Sequence, residues 1–156
     1  MRVGFMHRYG NLRIEFAREV GFKSAELIVP IDADCLPGRA GWKKPAQAVK
    51  EAFAEAGIRI SCVGGPYVNH MDREQAAKFR KYTRSVILLA EYLGVSTVAG
   101  FAGKLVDRLL EDSIEPFKKI WSDHAAFAKA HGVRYAFEHC PMGRYHLPPG
   151  GNNCMC

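Results

Sequence analysis

The stretch KAHGVRYAFEHC, residues 129–140, shows the pattern that decides the fold. A helical segment ends on Gly132, an apolar run of strand-forming residues follows, and the run closes on the carboxylate of Glu138. A glycine just past a helix adopts the left-handed conformation without steric cost, so it marks a helix end. The stretch therefore predicts a helix followed at once by a strand, with an acidic side chain at the end of that strand.

The same pattern occurs four times along the chain. Its glycines are Gly21, Gly57, Gly94 and Gly132, at spacings of 36, 37 and 38 residues. With a first strand near the start, the sequence predicts strands at 2–6, 25–29, 59–63, 97–101 and 135–138, alternating with helices at 12–20, 45–56, 72–93 and 115–131. This alternation predicts a parallel sheet with right-handed helical crossovers.

Two of the predicted helices carry further signals. In the first, Leu12, Phe16 and Val20 fall on one stripe, which predicts a core-facing surface. In the third, Asp72 is the expected N-cap, with Gln75 three residues later as in a capping box.

Composition excludes several classes of protein. The 156 residues suffice for one ordinary domain, and no apolar run approaches the ~20 residues that span a bilayer. The five cysteines are odd in number and irregularly spaced, so we expect a reduced, cytoplasmic protein. The net charge of +6 is spread over the chain apart from a modest basic cluster (Arg73, Lys78, Arg80, Lys81, Arg84), which is more typical of a solvated helix face. A nucleic-acid partner is therefore disfavoured.

The predicted topology fits two architectures, an open doubly wound sheet and a (β/α)₈ barrel. The barrel needs eight strands and about 250 residues. The open sheet is not supported by a GxGxxG or P-loop motif. In both, active sites form at the carboxyl ends of the strands, where this chain has His7, the Gly64–Gly65 pair, Phe101 and Glu138.

Four motifs carry a resemblance to a known family. They are VGFKSAELI (20–28), ISCVGGPY (60–67), AEYLGVSTVAGFAG (90–103) and YAFEHCPMGRYHLPPGGNN (135–153). The chain resembles the sugar phosphate isomerase/epimerase superfamily, the xylose isomerase-like TIM barrels. The resemblance implies an α/β fold of the (β/α)₈ type, truncated to about five β/α units. Residues 1–156 would then be the N-terminal part of a single barrel domain.

The resemblance also implies a metal site and a reaction. Glu138 matches the fifth-strand ligand of one divalent ion (Mn, Mg, Co or Zn), and the remaining ligands would lie beyond the end of this chain. The implied function is a metal-dependent isomerase or epimerase acting on a small hydroxy-carbonyl substrate, a sugar or sugar phosphate. Glu138 is the candidate catalytic residue. The chain alone is expected to be an inactive fragment, which could associate as a homo-oligomer through its open sheet edges.

Five further residues are candidates for substrate binding: His7, Glu26, His70, Arg144 and His146. His7 ends the first predicted strand, and Glu26 lies in the second and could point into the barrel. His70 follows the third strand in a loop that could line the mouth. Arg144 and His146 lie on the loop after the fifth strand, and Arg144 could contact a phosphate or carboxylate.

Two alternatives remain open. One is a DNA-repair nuclease of the endonuclease IV type, but that type carries a histidine at the positions that Gly65 and Phe101 occupy here. The other is a non-catalytic half-barrel. Ketose 3-epimerases of the family have a second glutamate where this chain has Arg144, so the resemblance does not identify a ketose substrate.

Overall fold

The computed structural model describes residues 3–106 and 108–138. The strands are β1 (Gly4–Arg8), β2 (Ser24–Ile28), β3 (Arg59–Gly64), β4 (Thr97–Gly100) and β5 (Arg134–Phe137). The helices are α1 (Ile14–Val20), α2 (Lys43–Glu55), α3 (Ala76–Leu93) and α4 (Ile114–Ala130), and a short 3₁₀ turn, Glu111–Ser113, precedes α4. The predicted alternation of strands and helices is confirmed.

The five strands form one parallel sheet in the order β1-β2-β3-β4-β5. Each strand pairs with the next strand along the chain. A doubly wound sheet would reverse its strand order at a switch point, whereas a barrel adds its strands in sequence. The strand order therefore selects the barrel-type architecture and rejects the open sheet.

The helices cover one face of this sheet, and the core lies between them. Leu27, Val63 and Val98 on the strands are at most 1% exposed, and they pack in one cluster with Phe53 of α2 and Val86 of α3. None of the helices in the described part of the chain has the length and apolar character of a membrane-spanning segment.

The four repeated glycines behave as the sequence predicts. Gly21, Gly57, Gly94 and Gly132 have φ angles of 86°, 66°, 74° and 66°. Each lies just after a helix, where a side chain with a Cβ would be strained. The helix ends of the fold are thus encoded locally.

Several predicted boundaries differ from the structure, and two of these differences affect residues singled out in the sequence. β1 runs to Arg8, because its backbone continues to pair with β2 as far as Ile28. His7 therefore lies inside the strand and does not end it. α3 begins at Ala76, four residues later than predicted, because residues 73–75 form a turn. The Oδ1 of Asp72 accepts bonds from the amides of Glu74 (2.9 Å) and Gln75 (3.2 Å) in this turn.

The predicted apolar stripe of α1 is also wrong. Phe16 is 46% exposed and Val20 is 56% exposed, and the buried residue of this helix is Ala17. β1 is an edge strand of the sheet, so no element among the described residues packs beyond it to cover these side chains.

Candidate active site

The direction of the Glu138 side chain follows from its neighbours in β5. The rings of Tyr135 and Phe137 pack on Trp121 of α4, with centroid separations of 4.4 Å and 4.6 Å. These side chains face the helices. Because strand residues alternate between faces, Glu138 points to the opposite face, which is the interior of a barrel. Its amide still donates to the Gly100 carbonyl at 2.9 Å, so the backbone keeps its strand pairing at this position.

Glu26 lies on the same interior face. It pairs in register with Cys62 of β3, and its Oε1 accepts a 2.6 Å hydrogen bond from the Tyr67 hydroxyl. Glu138 lies close enough to Glu26 and Tyr67 to interact electrostatically with both. We call the four residues Glu26, Cys62, Tyr67 and Glu138 the carboxylate cluster. Strands β2, β3 and β5 and the loop after β3 thus bring these groups together.

The electrostatics of the carboxylate cluster follow from burial and like charge. Burial raises the pKa of Glu138, and the neighbouring Glu26 charge raises it further, while the contact with Tyr67 partly opposes both effects. Burial and the bond to Glu26 also raise the pKa of Tyr67, so its phenol remains a proton donor. Burial together with the two carboxylates raises the pKa of the Cys62 thiol to about 12. The site therefore disfavours additional negative charge.

A glycine makes room for the contact between Glu26 and Tyr67. A Cβ on Gly64 would lie 2.6 Å from the Tyr67 hydroxyl and 2.5 Å from Cδ1 of Ile28, both too close for any real side chain. The structure shows that the missing side chain at position 64 is what allows the glutamate and the phenol to meet.

His7 is placed away from this cluster. It is 1% exposed and lies edge-on against Phe53 of α2, at a centroid separation of 5.0 Å. Burial lowers its pKa. Since it faces the helices, on the opposite side of the sheet from Glu26, it is not part of the site that we describe.

His70 is also buried on the helix side. It is 3% exposed, and its ring lies 4.7 Å from Trp121 and 5.5 Å from His124. Burial, together with the nearby His124, lowers its pKa to about 3. The structure therefore separates His70 from Glu26 and Glu138 and makes it a neutral group beneath α4. The other two candidates, Arg144 and His146, lie outside the described residues.

Tyr67 and Cys62 were missed in the sequence as site residues. Tyr67 was within the GGPY motif, but nothing in its local pattern showed that its hydroxyl would reach Glu26, 41 residues earlier. Phe101 lies at the same edge, with its ring 5.0 Å from that of Tyr67. One signal was available in the sequence: Cys62, Tyr67 and Phe101 all lie in or just after strands whose carboxyl ends meet at one edge of the sheet.

The family model described as "Xylose isomerase-like TIM barrel" matches residues 14–152. No curated protein matches. Among solved structures, a xylose isomerase domain protein from Planctomyces limnophilus is similar with a TM-score of 0.75 at 15% identity, over 90% of this chain and 53% of that one.

Two further solved structures share the fold. A D-psicose 3-epimerase from Clostridium cellulolyticum H10, solved with D-tagatose, has a TM-score of 0.66 at 16% identity, over 94% of this chain and 55% of that one. A xylose isomerase-like TIM barrel protein from Mycobacterium smegmatis, in complex with magnesium, has a TM-score of 0.59 at 16% identity, over 80% and 44% of the two chains.

This chain thus spans about half the length of the structures that it matches. The barrel-type fold and the resemblance inferred from the sequence are both confirmed. The chain belongs to the xylose isomerase-like TIM barrel family.

Proposed function

We propose that the chain forms part of a metal-dependent isomerase or epimerase for a small sugar or sugar phosphate. The observation that carries the proposal is the convergence of Glu138 with Glu26 and Tyr67 on the interior face of the sheet. Among the solved structures of this fold are sugar epimerases, one of them solved with D-tagatose.

The residues that the structure describes can supply part of a metal site. Carboxylate and phenol oxygens are hard ligands of the kind that Mg²⁺ and Mn²⁺ prefer, and Glu138 can supply one of them. Within residues 3–106 and 108–138, however, no three His, Cys, Asp or Glu side chains are grouped so that they could hold a metal. We therefore assign Glu138 as a single ligand and expect the others outside the described residues. When bound, such an ion would polarise the substrate carbonyl.

The chain's own residues have separate roles in this proposal. Glu138 is the group that we assign to take up a proton from the carbon beside the carbonyl. Tyr67 holds the Glu26 carboxylate in place by donating to its Oε1. Glu26 can then accept a hydrogen bond from a substrate hydroxyl through its free oxygen. The half-buried rings of Tyr67 and Phe101 offer an apolar wall for the carbon skeleton.

Proton exchange tests the proposal most directly. The complete enzyme, of which we propose this chain to form part, is incubated in D₂O with ketoses, aldoses and their phosphates in the presence of Mg²⁺, Mn²⁺, Co²⁺ or Zn²⁺. NMR then detects deuterium at the carbon beside the carbonyl. We expect exchange with at least one sugar, and we expect Glu138→Gln to lower its rate by about 100-fold or more, as general-base catalysis implies.

A matched substitution controls for loss of charge alone. Glu115→Gln removes a carboxylate on α4 whose side chain is 81% exposed and paired with Lys118, so exchange should be unchanged. Equal exchange in the wild type and in Glu138→Gln would refute the role of Glu138. Absence of exchange with every sugar, combined with metal-dependent nicking of abasic-site duplex DNA, would replace the proposal with the nuclease alternative.

A further inference from the structure

A cavity of about 470 Å³ lies on the outer side of the fold, between the loop after β2 and the first half of α3. Its charged lining consists of Arg39 from the loop, Lys78 and Lys81 from α3, and a single carboxylate, Asp32. No member of the carboxylate cluster lines it. The cavity is therefore separate from the interior face of the sheet.

The three cations of this cavity are not neutralised within the part of the chain that the structure describes. Arg39, Lys78 and Lys81 form no ion pair there. The contrast on the same helix is Arg84, which binds Asp123 at 2.9 Å. Lys78 and Lys81 lie three residues apart on α3, where like charges repel and destabilise a helix. With one carboxylate against three cations, the cavity carries a surplus of two positive charges.

The loop that carries Arg39 is fixed to the rest of the fold. The Arg39 Nη2 donates to the Ile31 carbonyl at 3.2 Å, which orients the guanidinium through one of its five N–H groups. The Ser85 hydroxyl of α3 donates to the Pro37 carbonyl at 3.0 Å, which ties the loop to the helix. Leu36, between these contacts, is 3% exposed. The two elements thus hold their cations around one concavity.

We propose that this cavity binds the phosphate group of a small phosphomonoester. A phosphate dianion matches the surplus of two charges. The planar guanidinium of Arg39 suits bidentate contact with phosphate oxygens, and the two lysines add point charges. The volume is within the ~300–1,000 Å³ range of small-molecule sites. The site is independent of the proposed reaction, since it lies on the other side of the sheet from Glu138.

Titration calorimetry and amide NMR on the full-length chain test this site. The probes are D-fructose 6-phosphate, inorganic phosphate, unphosphorylated D-fructose and a short DNA duplex. We expect the phosphate-bearing small molecules to bind and to shift the amide resonances of Gly38, Arg39 and Ser85. D-Fructose should leave these resonances unmoved, and added salt should weaken the binding of the charged probes.

Two double variants that remove the same charge can distinguish a specific phosphate site from general electrostatic attraction of phosphate to a basic protein. Each exposed cation should strengthen phosphate binding by a factor of about two to five. The double variant Lys78→Gln with Lys81→Gln should therefore weaken phosphate binding about tenfold. The control is Lys43→Gln with Lys44→Gln, two exposed lysines at the start of α2 that do not line the cavity; binding should change by less than about twofold. The proposal would be overturned if phosphate binding weakened equally in both double variants, or if phosphate did not bind at all. It would also be overturned if the amide resonances that shift belonged to residues outside the cavity. DNA binding tighter than phosphate binding would overturn it too, because it would assign the surface to nucleic acid.

Discussion

Acid should destabilise this protein at pH values above those at which its carboxylates protonate, because two neutral histidines are buried together. His70 is 3% exposed and His124 is 1% exposed. Burial lowers the pKa of His70 to about 3 and that of His124 to about 4, from 6.5 in an unfolded chain. The charged groups facing the pair are Asp123, Arg80 and Arg84, and both arginines oppose protonation of His124.

The sign and size of the effect follow from proton linkage. Below pH 6.5 the unfolded chain takes up two protons that the folded chain does not bind, so stability falls as pH falls. Between pH 7 and pH 5 each histidine accounts for about 2 kcal/mol at 1.36 kcal/mol per pH unit. The pair then lowers the free energy of unfolding by about 4 kcal/mol, which corresponds to a drop in Tm of roughly 8–16 °C for a chain of this length.

Urea unfolding at pH 7 and pH 5, followed by circular dichroism, measures this difference. His124→Phe keeps a ring against Trp121 but cannot take up a proton, so the difference between the two pH values should shrink by about 2 kcal/mol. The control is Trp121→Phe, which disturbs the same packing without removing a titrating group, and which should lower stability equally at both pH values. A wild-type protein equally stable at pH 5 and pH 7 would refute the reasoning, as would a full-sized difference in His124→Phe.

Three further predictions concern stability and can be checked by the same urea unfolding at pH 7. Gly64→Ala should destabilise the fold by about 1–3 kcal/mol, because the new methyl group clashes with the Tyr67 hydroxyl; an unchanged stability would mean that Glu26 and Tyr67 can move apart at no cost. Asp72→Ala should cost about 0.5–2 kcal/mol through the loss of the two amide bonds before α3, whereas Asp72→Asn should recover most of that loss. Phe53→Ala should cost about 3–5 kcal/mol, because this ring is 1% exposed in the core; a cost below 1 kcal/mol would contradict the packing of α2.

The order and type of the helices and strands could be predicted from the sequence. Gly132 and its three counterparts require a positive φ, and a strand-forming run follows each of them, so local preferences were sufficient. The bounds of β1 could not be predicted in this way. The strand lies two residues later than expected, so His7 lies inside it and packs against Phe53. The end of a strand depends on how far its backbone pairs with the neighbouring strand, and no local signal fixes that point.

The candidate site was predicted in part. Glu138 was singled out by its position at the end of an apolar run, and the structure places it with Glu26 on the interior face. Its metal-binding and catalytic roles remain predictions. His70 was expected near the mouth because it follows β3, but its ring turns beneath α4 to pack on Trp121. Loop side chains follow long-range packing, which short sequence patterns do not encode.

The sequence by itself determined where the chain turns and which segments become strands or helices, because steric limits on φ and ψ act within a few residues. The tertiary structure alone decided which side chains meet. The Tyr67 hydroxyl reaches Glu26 only because β2 and β3 lie side by side and Gly64 leaves space between them. Such contacts join residues that are distant in the chain, so they depend on strand order and register and not on local preference.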